Sequence, residues 1–389
     1  MSTQGSVYRR GKTWTWHLSW KEGGQQKQEK KGGFPTKPKA QAALAEKIES
    51  LRTGSYVPTS QLTVGGYLDT WLDSLAVTGH KPTTIAAYRE KVRSYVRHSI
   101  GDLKLQEVTA LHLDHLYEKL RTGGGKDGRP LAPATVRYVH AVLSKALGDA
   151  EREGLLKRNP ARLASPPSFS SARSPEMKVW APEELAAFLE QTADHHLSAL
   201  FRLAALTGMR RGEICGLRWD AVDLDAATIQ VTRTLTPVNG VPVWGEPKTR
   251  RSRRTVEIDP DTMRTLRAHR REQLELRVLV GSGWHDQNMV FCAPDGRPLH
   301  PDNVGSWFAR AVAKSGLTRI RFHDLRHTHP THLLAAGVNP RIVSERLGHS
   351  SVAFTLDTYG HVLPGQGAEA AALAAGLLGS APTKRLPNR

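Results

Sequence analysis

Residues 321–329 read RFHDLRHTH, a stretch with three histidines and two arginines. His323 and Arg326 are three positions apart, so they share one face of a helix. The stretch also offers imidazoles for a metal site, from His323, His327, His329 and His332. It lacks the glutamate of the His-Glu-x-x-His pattern, and the interleaved Arg326 would repel a cation. We therefore expect no metal here.

An arginine follows a predicted buried helix upstream of this stretch. Leu197 to Leu206 is apolar and predicts a helix that stops at Thr207-Gly208, because glycine suits the left-handed turn after a helix. Arg210 comes just beyond that turn. An arginine held stiffly in such a place makes a good bidentate clamp for a phosphate.

A run of cations lies between predicted strands. Thr228 to Leu235 alternates like a strand, Asn239-Gly240 is a strong hairpin turn, and Thr255 to Ile258 can return as a strand. Residues between them put a lysine and four arginines on a hairpin edge, namely Lys248, Arg250, Arg251, Arg253 and Arg254. Charges that blunt a sheet edge explain only some of them.

A tyrosine follows the histidine-rich stretch. Leu347-Gly348-His349 is followed by Thr355-Leu356-Asp357-Thr358-Tyr359, so Tyr359 comes ten positions after His349. A lone tyrosine is far more often a packing residue than a nucleophile, and this chain has eight of them. Tyr359 is singled out only by the residues that precede it.

Together these residues resemble the tyrosine recombinase (phage integrase) family, in the integrase subgroup with an N-terminal arm-binding domain. The resemblance rests on the order of Arg in Thr-Gly-Met-Arg, Lys in the hairpin, His-x-x-Arg, Gly-His and a later Tyr. It implies that the catalytic positions are Arg210, Lys248, His323, Arg326, His349 and the nucleophile Tyr359. It also implies that Glu213 supports the architecture of the active site.

The resemblance implies a site-specific DNA integrase or recombinase that integrates or excises a mobile element, such as a phage. The two arginines clamp the non-bridging oxygens, His349 donates to the same phosphate, and Lys248 protonates the departing 5′ oxygen. His323 is the base or hydrogen-bond partner near the nucleophile, and Tyr359 becomes joined to a 3′ phosphate. That linkage keeps the bond energy, and cations replace a metal. We therefore expect an enzyme that needs no metal, ATP or other cofactor.

Composition and charge favour a nucleic-acid partner. The chain of 389 residues has 55 Lys+Arg against 37 Asp+Glu, a net charge of +18 and a pI near 10.1. A protein this basic is attracted to polyanions, of which nucleic acid is the commonest. No basic amphipathic helix or apolar run of roughly 20 residues argues for a membrane. Two cysteines and the absence of a secretory pattern predict a cytoplasmic protein.

The chain divides into segments of different character. Residues 1–60 predict a small basic sheet and a helix, an arm-type DNA-binding domain, and residues 61–160 predict a helical core-binding domain. Residues 161–178 are rich in Pro, Ser, Ala and Arg, as in a linker. Residues 179–364 are the predicted α+β catalytic recombinase domain, and 365–389 a tail with a helix. We expect a multidomain fold that is mainly α with small β-sheets.

Basic side chains on the predicted strands and helices are candidate DNA contacts. They are Arg9, Arg10 and Lys12 in the first segment, Arg89, Arg93, Arg97, Arg137 and Lys145 in the second, and the four arginines of the hairpin, Arg250, Arg251, Arg253 and Arg254. Basic helix faces are usually only solvated, but here they recur in a chain biased toward polyanions. We expect double-stranded DNA with attachment sites as the partner, lying between the helical and catalytic domains.

The expected protein assembles on DNA, and two alternative functions are also considered. We expect a tetramer on DNA during synapsis and a monomer when free, the helix at Ala368 to Leu378 docking on a neighbouring protomer, and accessory excision or bending proteins as partners. The alternatives are a type IB topoisomerase and a DNA-binding regulator with an inactive recombinase-like domain. Pro330 would be the cause of inactivity, because a proline inside a helix removes a hydrogen bond and costs about 3 kcal/mol.

Overall fold

The structure is a computed structural model that describes residues 3–22, 24–53, 56–125, 128–172, 177–247, 250–363, 371 and 374–376. The chain folds into two compact units, Met1–Ser174 and Pro175–Arg389. Each unit has hydrophobic cores of its own. The finer domain boundaries expected from the sequence stay predictions.

The N-terminal unit begins with a three-stranded antiparallel sheet followed by a helix. The elements are β1 (Thr3–Arg10), β2 (Thr13–Glu22), β3 (Gln25–Phe34) and α1 (Lys37–Arg52), with β2 at the centre of the sheet. Trp16, Leu18 and Trp20 of β2 pack with Leu44 and Leu51 of α1. Because side chains alternate along a strand, the other face of β2 is left to polar residues.

A helical region with a separate core completes this unit. Its elements are α2 (Val64–Val77), α3 (Pro82–Lys91), a π-helical turn (Val92–Val96), α4 (Arg97–Ile100), α5 (Ala110–Gly123) and α6 (Pro133–Arg152). The wider π-helical turn keeps Val92, Val96 and Ile100 on the buried face. Trp71 in α2 donates a 2.8 Å hydrogen bond to buried Asp149 in α6, which ties the ends of the region together.

The C-terminal unit is built around an aromatic core. Its first elements are α7 (Pro182–Gln191), α8 (Ser198–Thr207), α9 (Arg211–Cys215), β4 (Val222–Asp223), β5 (Thr228–Val231), β6 (Thr234–Val238), β7 (Val241–Gly245), β8 (Arg254–Glu257), α10 (Pro260–Val280) and α11 (Pro301–Ser315). Strands β4, β5 and β8 form one small sheet, and β6 and β7 form a separate hairpin. Trp180, Phe188, Phe201 and Phe308 contact one another in the core.

Three short helices follow and bring two helix ends together. They are α12 (Phe322–Ala335), α13 (Pro340–Leu347) and α14 (Val352–Tyr359). Gly208 ends α8 and Gly348 ends α13, and both lie in the left-handed region, with φ of 63° and 64°. A Cβ at Gly208 would lie 2.6 Å from Leu347 Cδ2, so the end of α8 can approach α13 only through a glycine.

The expected fold class, mainly α with small β-sheets, is confirmed. The expected place of the cationic run on the edge of the Asn239-Gly240 hairpin is wrong. Asn239 and Gly240 close the hairpin of β6 and β7, and the cations come after it, because β6 pairs with β7 and the hairpin ends at Gly245. Of the expected tail, 365–389, only 371 and 374–376 are described, and these are helical. Among the described residues, no helix is both long and apolar enough to cross a membrane.

Candidate active site

Two arginines are held by main-chain carbonyls where α8 and α13 end. Arg326 in α12 donates to Gly208 O at 2.5 Å and to Leu347 O at 2.8 Å. Arg210, just before α9, donates to Gly348 O at 3.4 Å. Carbonyls at a helix C-terminus lack intrahelical partners and carry the negative end of the helix dipole. They are therefore good acceptors for guanidinium groups, and they fix both arginines near one turn.

Arg326 keeps its charge although it is buried. The residue is 5% exposed, and its guanidinium donates to two neutral carbonyls rather than to a carboxylate. Burial, together with the neighbouring Arg210, lowers the pKa of Arg326 to about 9. The guanidinium is still protonated at neutral pH, so the site presents a fixed positive charge.

Glu213 is the carboxylate that holds the arginines of this site. It is 2% exposed, and its oxygens accept from the Arg210 backbone N at 2.9 Å and from Arg210 Nη1 at 2.8 Å. Arg254 also donates to it, at 2.9 and 3.2 Å. Burial raises the pKa of Glu213, but the bonds and charges of Arg254 and Arg210 outweigh burial and leave the pKa below its ordinary value. Glu213 is therefore an anion that orients Arg210.

Tyr359, the last residue of α14, lies beside this cluster. It is 2% exposed, and its hydroxyl is 2.7 Å from His327 Nδ1, within hydrogen-bond distance. Its ring lies parallel to that of His349, with 6.3 Å between centroids. Burial raises the pKa of Tyr359 to about 12, although Arg326 opposes the shift. The phenol is thus neutral at pH 7 and needs a proton acceptor before it can attack.

His349 is neutral and has one ring nitrogen engaged. The residue is 8% exposed, and its Nδ1 is hydrogen-bonded to Thr355 Oγ1 at 2.9 Å. Burial and the nearby Arg326 lower the pKa of His349 to about 4. When the threonine hydroxyl donates to Nδ1, the proton of the neutral ring is on Nε2. The arrangement therefore suits the predicted role of His349 as a donor to a phosphate oxygen.

His327, rather than His323, is hydrogen-bonded to the tyrosine hydroxyl. His323 is exposed, and its ring meets the His327 ring edge to face at 5.0 Å. The sequence places His323 and His327 one helical turn apart, so both belong to the same face, and pattern alone does not rank them. Burial lowers the pKa of His327, which leaves a neutral ring able to accept the phenol proton. From the sequence alone, His327 is predicted only as a possible metal ligand.

The four histidines of α12 have different partners. His329 accepts a bond from Arg346 Nε at 3.1 Å, and His332 is hydrogen-bonded to Trp180 O at 2.8 Å, away from the contact between His327 and Tyr359. In the part of the chain that the structure describes, no group of three or more His, Cys, Asp or Glu residues is arranged to hold a metal ion.

Pro330 lies inside α12 without ending it, since the helix extends from Phe322 to Ala335. A proline lacks the N–H that would bond to the carbonyl four residues earlier, which is that of Arg326. Thr331 Oγ1 donates to His327 O at 2.8 Å, next to this gap in the helix hydrogen bonds. Arg326 and His327 therefore remain on an uninterrupted helix, despite the proline expected to displace Arg326.

Lys248 lies outside the described residues, so its place relative to the other predicted catalytic positions stays a prediction. The structure does bring Arg210, Glu213, Arg326, His349 and Tyr359 into one cluster. His323 lies at the exposed edge of that cluster, in contact with His327.

The predicted DNA-contact cations differ in what they contact. Arg9, Arg10, Lys12 and Arg93 are exposed, and within the described residues they have no ion-pair partner. Exposed ion pairs join Arg89 to Asp73 at 2.7 Å, Arg97 to Asp69, and Arg253 to Glu246 at 2.8 Å. Arg251 donates to Ser350 O, and Arg250 begins the 3₁₀ turn Arg250–Ser252. Arg9, Arg10, Lys12 and Arg93 are therefore available to contact a phosphate.

Three other predicted contacts are engaged inside the protein. Arg137 donates to Pro167 O and lies 3.4 Å from the centroid of the Phe169 ring. Lys145 is 3.4 Å from Asp149. The predicted place of Arg254 on an exposed edge is wrong, because its side chain is 6% exposed, faces inward and is bonded to Glu213.

Comparison with known protein families gives matches along most of the chain. Residues 180–365 match the phage integrase family, residues 6–51 match the arm DNA-binding domain, and residues 63–121 match the N-terminal SAM-like domain of phage integrases. These matches cover the N-terminal sheet, the first part of the helical region and the unit that carries the site.

Known relatives agree with these matches. The chain is 29% identical over 347 residues to a "tyrosine recombinase XerC-like" protein of Caldanaerobacter subterraneus subsp. tengcongensis, covering 85% of this chain and 87% of that protein. It is 32% identical over 243 residues to the ICEBs1 integrase of Bacillus subtilis, covering 62% and 65%.

The fold is shared with two solved integrases. The Tn1549 transposon integrase in complex with a circular intermediate DNA has a TM-score of 0.65 and 20% identity, covering 81% of this chain and 99% of that one. A lambda integrase tetramer bound to a Holliday junction has a TM-score of 0.55 and 17% identity, covering 90% and 93%.

Proposed function

The chain belongs to the phage integrase family of tyrosine recombinases, and from this premise we propose that it is a site-specific DNA integrase that cuts and rejoins DNA to integrate or excise a mobile element. One observation carries the proposal. The Tyr359 hydroxyl, the His349 ring and the guanidinium groups of Arg326 and Arg210 gather around the turn Leu347-Gly348-His349. This is a nucleophile beside fixed cations, as attack on a phosphodiester requires.

The proposed cleavage step is a transfer of a phosphoryl group to Tyr359. Its phenolic oxygen attacks the scissile phosphorus and forms a 3′-phosphotyrosine bond, while the bond to the 5′ oxygen breaks. Arg326, Arg210 and His349 stabilise the charge that grows on the non-bridging oxygens. The departing 5′ oxygen takes a proton, for which Lys248 is the donor implied by the family resemblance. Rejoining is the reverse step with a new 5′ hydroxyl, so it consumes no ATP.

His327 is the proposed acceptor of the phenol proton. The contact of 2.7 Å between Tyr359 Oη and His327 Nδ1 supports this role, and because burial lowers the pKa of His327, the ring is neutral at pH 7 and has one nitrogen without a proton. His323 borders His327 and is exposed, so its proposed role is to support His327 or to contact the DNA.

The proposed partner is double-stranded DNA with attachment sites. The N-terminal sheet, with the exposed Arg9, Arg10 and Lys12 at its β1–β2 end, would bind arm-type sites, and the helical region with Arg93 would bind the core site. The working assembly is a tetramer on DNA during synapsis and a monomer when free, with accessory excision or bending proteins as further partners. The protein would act in the cytoplasm.

Recombination between two defined sites tests the proposal. The DNA that flanks the gene supplies candidate attachment sites, which are placed on a plasmid and on a linear duplex. We expect the purified protein to join them in buffer with EDTA and without ATP, and we expect Tyr359→Phe to bind the same duplex without joining it. Binding without any strand cleavage by the wild type would favour a DNA-binding regulator instead.

Plasmid relaxation separates the integrase from a type IB topoisomerase. An integrase acts at its attachment sites, so a supercoiled plasmid that lacks them should stay supercoiled. Efficient relaxation of that plasmid would contradict the assignment to site-specific recombination.

A further inference from the structure

Arg254 is held entirely by protein acceptors, although the sequence predicts it as a DNA contact. It is the first residue of β8, and its side chain is 6% exposed. Its Nη2 and Nη1 donate to the two oxygens of Glu213 at 2.9 and 3.2 Å. Its Nε donates to Arg346 O at 2.6 Å, and Nη1 also donates to Ser252 O at 3.1 Å. A guanidinium engaged in this way has little left to offer a phosphate.

Glu213 links Arg254 to the phosphate clamp. The carboxylate side chain is 1% exposed, whereas the Arg210 side chain on the same carboxylate is 38% exposed. Arg210 is fixed to Glu213 through its backbone N and its Nη1. Arg254 therefore lies on the buried side of the carboxylate, and Arg210 lies on the side that remains accessible.

We propose that Arg254 is a positioning residue for cleavage, which holds Glu213 so that Arg210 presents its guanidinium to the scissile phosphodiester. The proposal rests on the proposed function. A carboxylate with one arginine partner tends to form two parallel hydrogen bonds, which would occupy the Arg210 fork and neutralise its charge. Arg254 takes the bidentate place on Glu213, and Arg210 keeps a single side-chain bond to it. The remaining Arg210 donors and one net positive charge are left for the phosphate.

The neighbouring contacts support the same role. Arg254 Nε bonds to Arg346 O in the last turn of α13, the helix whose final carbonyls hold Arg326 and Arg210. A Cβ added to Gly348 would lie 3.2 Å from Arg254 Cδ, so the arginine packs directly against this turn. Arg254 thus connects β8, α9 and the turn at the end of α13. Its substitution should misplace the clamp without removing a group that touches DNA.

The test compares Arg254→Lys with Arg264→Lys, a matched change at an exposed arginine of α10 that is paired with Asp261. Lysine keeps the charge but cannot form the fork. The readout is the single-turnover rate of covalent adduct formation on a nicked duplex carrying an attachment site, with protein in excess. We expect Arg254→Lys to lower the rate about 10- to 100-fold and to change the Kd for DNA less than about threefold. Arg264→Lys should match the wild type.

A double variant distinguishes positioning from a general structural role. If Arg254 acts through Arg210, then adding Arg254→Lys to Arg210→Lys should lower the rate less than about threefold further, because both changes disturb one clamp. Losses that multiply would overturn the proposal, as would a wild-type rate for Arg254→Lys.

Failure of folding is also informative. Thermal unfolding is measured for Arg254→Lys and for Arg254→Gln, whose amide can still donate to Glu213. If both variants lose cooperative unfolding, the residue is structural and the proposal is wrong. If the wild type forms no adduct, the proposed function fails. If the wild type and Arg254→Lys cleave equally, only the role of Arg254 fails.

Discussion

The helical region of the N-terminal unit and the candidate active site of the C-terminal unit hold their arginines in different ways. In the N-terminal unit, Arg89 and Arg97 form exposed ion pairs with Asp73 and Asp69, and Arg93 is exposed between them in sequence. In the C-terminal unit, Arg326 is buried and donates to two main-chain carbonyls. The first arrangement leaves side chains that can move. The second fixes a guanidinium in place.

The difference suggests that the N-terminal unit contributes to DNA binding and that the candidate active site contributes to cleavage. An exposed ion pair contributes only about 0–1 kcal/mol, so its arginine exchanges partners at little cost. A carbonyl is a dipole and not an ion, so Arg326 keeps its whole charge while its orientation is set. We therefore expect substitutions in the N-terminal unit to weaken DNA binding gradually, and substitutions in the site to abolish cleavage with little effect on binding.

The largest effect is expected from Arg326→Lys. An amine cannot reach both Gly208 O and Leu347 O and also contact a phosphate. The single-turnover cleavage rate should fall about 10³-fold, with the Kd for DNA changed less than about threefold. A loss of less than about tenfold would show that the fixed charge is not needed.

The next effect separates the two histidines on one face of α12. His327→Ala should lower the cleavage rate about 10²-fold, because the phenol then loses its acceptor. His323→Ala serves as the matched comparison and should lower the rate less, because the His323 ring contacts His327 whereas the tyrosine hydroxyl is bonded to His327 itself. The same single-turnover assay ranks them, and a larger loss for His323→Ala would return the role of base to the residue predicted from the sequence.

A smaller effect is expected on the salt dependence of binding. The plot of log K against log salt has a negative slope. Arg93→Gln should make that slope less steep by about 1, because an unpaired cation is removed. Removing the neighbouring ion pair, by Arg89→Gln with Asp73→Asn, should leave the slope nearly unchanged. Titrations at several salt concentrations measure both. An equal change in the two variants would mean that the pair opens to bind phosphate.

The smallest effect concerns stability in acid. Burial and Arg346 lower the pKa of His329 to about 3, against about 6.5 in an unfolded chain. As the pH falls, the unfolded chain therefore binds the proton before the folded chain does. The contribution of neutral His329 to the free energy of unfolding is complete above pH 6.5 and is lost as the pH falls toward 3. The midpoint of thermal unfolding should fall over this range, and His329→Gln should weaken the fall by about 2–4 °C for each kcal/mol of this contribution that the variant lacks. His98→Gln, at an exposed position of α4, is the control, and equal slopes in all three proteins would contradict the assignment.

Much of the site follows from sequence because its parts are local. Apolar periodicity and Gly208 predict the turn that precedes Arg210, and the three-residue spacing of His323 and Arg326 predicts their shared helix. The resemblance to the tyrosine recombinase family then implies that Tyr359 is the nucleophile. The structure adds that the carbonyls of Gly208, Leu347 and Gly348 hold the arginines.

The parts that sequence could not supply depend on contacts between distant elements. Arg254 and Arg253 are adjacent and identical in type, yet one is buried against Glu213 and the other is exposed beside Glu246. Which of them faces inward depends on the pairing of β8 with β5. The rank of His327 over His323 likewise depends on where α14 places Tyr359, which helix periodicity does not reveal.

Mapping the covalent adduct tests the central claim most directly. The wild-type protein is trapped on a nicked duplex from the attachment site and digested, and the peptide that carries DNA is identified by mass spectrometry. We predict one modified residue, Tyr359, joined to a 3′ phosphate. An adduct on a different side chain, or attachment through a 5′ phosphate, would contradict the roles assigned to Tyr359 and its arginines.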